Sequence, residues 1–105
     1  MDYKKLSEQI SDIIQKSKHV DIDSDDFDED VYIFVGDMML METSLKTLYN
    51  KIDSGSIENN EYLIKLIDAI IMDYKAIVYQ YRSYDTICNS IGILINELEY
   101  VKTGL

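Results

Sequence analysis

The chain has 105 residues, a formal net charge of −10 and 47% hydrophobic residues, with no proline or tryptophan, four glycines and one cysteine. That length suits a single helical domain over residues 1–105 whose core needs no metal or disulfide staple, and Cys88, being alone, excludes an intramolecular disulfide and fits a reducing, cytoplasmic setting. The negative charge repels phosphate backbones and anionic lipid, which argues against direct binding to nucleic acid or membrane and for another protein with a basic surface.

No apolar stretch approaches ~18 residues and no basic-then-apolar leader opens the chain, so neither a membrane span nor a cleaved export signal is expected. The scarcity of chain-breaking residues favours long helices over a turn-rich β fold. Apolar residues follow 3-4 spacing in three blocks. The first runs Tyr3, Leu6, Ile10, Ile13. Asp2 is placed to cap its start, while Lys16, Lys18 and His19 fall near its end, where cations suit the helix dipole.

An acidic connection follows over residues 20–30. The decamer Asp21-Ile22-Asp23-Ser24-Asp25-Asp26-Phe27-Asp28-Glu29-Asp30 holds seven of the chain's twenty carboxylates, leaving thirteen acids against ten Lys and Arg elsewhere. Alternate aspartates invite comparison with a calcium loop. That loop needs Gly at its sixth position and a bidentate Glu at its twelfth, and those places hold Asp26 and Tyr32, so no metal is assigned. The run reads instead as a connection whose last carboxylates, Asp28-Glu29-Asp30, serve the N-terminus of the next helix.

The second block runs Val31, Phe34, Met38, Met41, Leu45, Leu48, Ile52. Its opening Val31-Tyr32-Ile33-Phe34-Val35 is β-branched and aromatic enough to form a strand, but Val31 and Phe34 stay in helical phase with Met38 and Met41, so helix is expected. The turn over residues 53–58, around Asp53-Ser54-Gly55-Ser56, is the clearest in the chain. The third block is Leu63, Ile67, Ile70, Tyr74, Ile77, Tyr81, Tyr84, Cys88, Ile91, Ile95, Leu98. Its flanking apolar stripe changes side, from Ile64, Ile71 and Val78 to Ile87, Leu94 and Val101, around Ser83 to Asp85. The fold class is therefore all-α: an antiparallel bundle of three long helices, or of four if the last one breaks at that switch. The unbroken helix is favoured, since Ser83 and Asp85 offer caps but nothing there forces a break.

Block two carries more apolar residues than one seam can use. With Val31 at heptad position a, Tyr32, Ile33, Met39 and Leu40 fall at b and c, outside the seam, as a partner-covered helix requires. Phe27 amid the carboxylates could anchor a contact that the charges steer. The partner-binding set is accordingly Asp21, Asp23, Asp25, Asp26, Phe27, Asp28, Tyr32, Ile33, Met39 and Leu40, with a homodimer as one form of the contact. Tyr74, Tyr79, Tyr81 and Tyr84 cluster around Arg82; Tyr74, Tyr81 and Tyr84 lie on the seam and are expected chiefly as core aromatics. Catalytic signatures are missing: His19 is the one histidine and falls at a helix end, and Cys88 sits on a seam with no histidine near in sequence. No cofactor motif occurs either.

The length, the helical hairpin and the midpoint turn Ser54-Gly55-Ser56 resemble the small helical substrates and partners of type VII secretion. That family's turn carries Trp-x-Gly and this chain has no tryptophan, so the likeness is one of shape; it implies a secretion-associated partner. The residues themselves point to a non-enzymatic protein-binding module. The first expectation is an acidic inhibitor or antagonist, of the kind mobile elements use, occupying a basic surface. The second is a structural adaptor that completes a helical bundle through the apolar face of block two.

Overall fold

The computed structural model describes residues 3–20 and 31–105. They form four helices, α1 (Tyr3–Ser17), α2 (Val31–Asp53), α3 (Asn60–Gln80) and α4 (Asp85–Thr103), and no strand occurs among the described residues. Each helix contacts the next, and α4 returns to α1, closing a ring around one core in a bundle whose Cα extents are 44 × 21 × 17 Å. Neighbours run in opposite directions. Gln9 shares a groove with Tyr100 while His19 shares one with Ser90, and Lys102 near the end of α4 reaches Asp68 of α3 at 2.7 Å.

The 3-4 pattern becomes the core. Leu6, Ile10, Ile13 and Ile14 of α1 are buried, facing Phe34, Met38, Met41, Leu45, Leu48 and Ile52 of α2. The helical reading of residues 31–35 holds: Phe34 lies in the same inward stripe as Met38 and Met41, and hydrogen bonding within the helix satisfies a backbone that has no strand to pair with among the described residues. Helix α2 ends in a Schellman motif. Ser56 N–H reaches Lys51 O at 3.0 Å and Gly55 N–H reaches Ile52 O at 3.2 Å, around Gly55 at φ +72°. Asn59 then caps α3, its side chain accepting from Tyr62 N–H at 2.8 Å.

The favoured unbroken third helix is corrected. The chain leaves α3 at Tyr81 (φ −106°, ψ 30°) and re-enters at Tyr84 (φ −108°, ψ 90°), so the described residues form four helices. The expected caps differ as well: Tyr84 occupies the N-cap without a side-chain capping hydrogen bond, and Asp85 sits in the first turn, where its charge suits the helix dipole. The reason is burial. A single rod from residue 60 to 103 would be roughly 65 Å long, and each half could cover only one neighbour. Folded back, each half packs against two helices; the second apolar stripe turns inward, while in the first Ile71 is buried and Ile64 and Val78 are half-buried. Ile71 is 3% exposed, and Ile87, Leu94 and Val101 are 0–5% exposed. The break also resets the phase. The core of α4 is Ile87, Ile91, Leu94, Leu98 and Val101, whereas Cys88 and Ile95, expected on the seam, are half-buried.

Tyr81 closes the corner. Its ring meets Phe34 edge-on at 5.1 Å between centroids, and its hydroxyl lies 3.4 Å from an Asp37 carboxylate oxygen. Cys88 Sγ points to the Tyr81 carbonyl at 3.3 Å, helping to satisfy the exposed end of α3. No helix among the described residues is long and apolar enough to cross a membrane.

Candidate interaction surface on helix α2

The inward stripe of α2 is filled by Phe34, Met38, Met41 and Leu45, and five further apolar side chains in its first half face outward. Tyr32 is 86% exposed, Ile33 54%, Val35 40%, Met39 62% and Leu40 67%. At 3.6 residues per turn these five side chains and Gly36 span an arc of roughly 160°. The four sequence-predicted residues of this helix are thus brought together on one face, with Val35 added at its edge.

Gly36 lies near the middle of that arc. A Cβ placed on it would meet nothing within 4 Å, so the backbone there is open to the outside. Its neighbours one turn away are Tyr32 and Ile33 on one side and Met39 and Leu40 on the other, which makes a shallow hole with four apolar corners. A glycine inside a helix costs roughly 1 kcal/mol relative to alanine, and no packing in the fold itself requires it here. Gly36 falls at heptad position f, between the b and c positions, where the sequence alone gives no signal.

Polarity is muted along this face. Thr43 Oγ1 donates to Met39 O at 3.0 Å, Ser44 Oγ to Leu40 O at 3.1 Å and Thr47 Oγ1 to Thr43 O at 3.0 Å, so hydroxyls that would bind water are turned onto the helix. Charges gather at one edge. Glu42 meets Lys46 at 3.0 Å and Lys18 at 3.6 Å, and the Lys46 contact, helped by Lys18, holds the Glu42 carboxyl below its ordinary range. A groove of about 210 Å³ runs beside that edge, between Val20 at the end of α1 and Val35, Met38 and Met39 of α2.

Exposed apolar residues elsewhere are sparser. Met72 and Tyr79 on α3 share their face with Asp73 and Lys75, and Ile93 and Tyr100 on α4 are separated by Asn96. Isolated apolar residues of this kind are normal on a surface; the contiguous set on α2 is not. The tyrosine cluster divides: Tyr74 and Tyr81 are core, while Tyr79 is exposed with the Arg82 guanidinium 4.5 Å from its ring centre.

Asp21, Asp23, Asp25, Asp26, Phe27 and Asp28 of the predicted set lie outside the described residues, as do Asp2 and the capping carboxylates Asp28-Glu29-Asp30. His19 is exposed just beyond α1 and Cys88 is half-buried against the α3 terminus. Among the described residues no three His, Cys, Asp or Glu side chains are gathered closely enough to hold a metal ion. Compared with known proteins, the chain matches no family model, no curated protein and no solved structure.

Proposed function

We propose that this chain is a non-enzymatic, cytoplasmic protein-binding module, an acidic inhibitor or antagonist of the mobile-element kind that occupies a basic surface of a target protein. Its contact is the outer face of α2, and the carboxylates of residues 21–30 steer the approach. The observation that carries the reading is the juxtaposition of Tyr32, Ile33, Met39 and Leu40, each more than half exposed, on the helix that directly follows seven acids in ten residues. Aromatic and Met side chains supply adaptable apolar contact, while charge sets approach rate and partner choice. No cofactor, nucleic acid or membrane enters the proposal.

A second reading, a structural or secretion-associated adaptor, is favoured by the muted polarity of the same face, because a helix completing a bundle needs apolar cover more than charge. Salt separates the two. The target is captured from the cells that express the chain, using wild type, an Asp23, Asp25, Asp26 and Asp28 to Asn variant, and Leu40→Glu. An antagonist loses its target at high salt and in the Asn variant; an adaptor keeps it in both and loses it only in Leu40→Glu. Equal capture by all three proteins removes both readings.

A further inference from the structure

Resting on the α2 face as the contact surface, we infer that Gly36 is the socket of that contact, and that its occupant is a basic amphipathic helix seating a bulky apolar side chain over the glycine. The argument begins with what Gly36 does not do. It makes no turn, adopts no positive φ, and faces no neighbour that would forbid a side chain. The cost it imposes on α2 is therefore not recovered within the fold.

It is recovered if another backbone comes close. In helix packing a protruding side chain enters a hole framed by four residues of the facing helix. Tyr32, Ile33, Met39 and Leu40 supply such a frame, three and four residues to either side of Gly36, and the absent side chain gives the hole its depth. The exposure of these four, from 54% to 86%, leaves the frame open.

Charge selects the occupant. The chain carries −10, and seven of its carboxylates are tethered immediately before the first residue of α2. A second copy would bring the same charge to the same place, whereas a helix with Lys or Arg beside its apolar stripe meets attraction. The occupant is thus basic as well as apolar.

The test uses a synthetic 18-residue helical peptide with leucines on one face and lysines on the other, and its Lys-to-Glu counterpart, titrated into the full chain by fluorescence anisotropy. Wild type is expected to bind the basic peptide and ignore the acidic one. Gly36→Leu, which leaves the charge untouched, is expected to weaken binding roughly tenfold or more. Gly36→Ala gives a smaller loss, and both variants keep or raise Tm, since the helix gains a better former. Leu40→Glu abolishes binding. Undiminished binding by Gly36→Leu together with loss in Leu40→Glu overturns the socket and leaves the face standing. Undiminished binding in both removes the face as well. Failure of wild type to bind the basic peptide, or a wild-type dimer in sedimentation equilibrium that Gly36→Leu dissociates, overturns the basic occupant.

Discussion

Tyr74 shows how one polar atom can count against a well-packed residue. Its side chain is fully buried, and its hydroxyl has no hydrogen-bond partner among the described residues. The polar group nearby, Ser17, already donates to Ile14 O at 2.9 Å. Burial pushes the hydroxyl's ionisation well above the ordinary tyrosine range; Ser17 opposes that rise and the Glu42 carboxylate adds to it. Tyr74→Phe should therefore be neutral or stabilising by up to ~1 kcal/mol in urea denaturation. The pH sign follows. The folded state holds this proton more tightly than the unfolded state. The resulting stability is fully present below about pH 10 and is lost as pH climbs toward the raised folded value. In Tyr74→Phe the alkaline fall in Tm should be shallower; an unchanged fall would mean that Tyr74 is not the group responsible. Two glycines make the complementary point. Gly55 sits at φ +72°, where a side chain is strained, so Gly55→Ala should cost about 1–2 kcal/mol. Gly36 lies in a helix with open space outside it, so Gly36→Ala should gain up to ~1 kcal/mol. Thermal melts of the two variants should shift in opposite directions.

At the level of elements, periodicity made α1, α2 and α3 legible, because each buries one stripe and the stripe repeats at 3-4 spacing. The midpoint turn was legible because Gly55 is where a left-handed residue is needed. The break between α3 and α4 was visible only as a change of flank. No Gly or Pro marks it; tertiary burial of Tyr81 against Phe34 and of Ile87, Leu94 and Val101 accounts for it, and local sequence does not encode that gain. The phase of α4 was legible in part: Ile91 and Leu98 of the expected seam are core, while the flanking Ile87 and Leu94 take the inward places expected for Cys88 and Ile95. On the surface, Tyr32, Ile33, Met39 and Leu40 were legible as apolar residues off the seam. Gly36 was not, since an f-position glycine is silent until its surroundings are known to be empty. Removing the corner's inner contact tests this account: Phe34→Ala should cost about 3–5 kcal/mol. Met39→Glu, by contrast, should leave Tm within a degree or two, because a 62% exposed side chain contributes little to the core.

For the molecule as a whole, the residues that hold the fold are not those proposed for recognition. The ring of helices is held by its buried apolar stripes, and the ion pairs that tie neighbouring helices, Lys16 with Glu97 and Lys102 with Asp68, are partly exposed and add little each. Charge is concentrated instead in residues 21–30, which in sequence directly precede a helix whose outer face carries exposed apolar side chains. A photocrosslinking amino acid placed at position 40 tests this division most directly, with position 72 on α3, which is comparably exposed, as its control. After irradiation in the cells that express the chain, position 40 should yield one discrete adduct with a basic protein, reduced when Gly36 is replaced by Leu, and position 72 should yield none. The same products from both positions, or no adduct from position 40, would contradict the account.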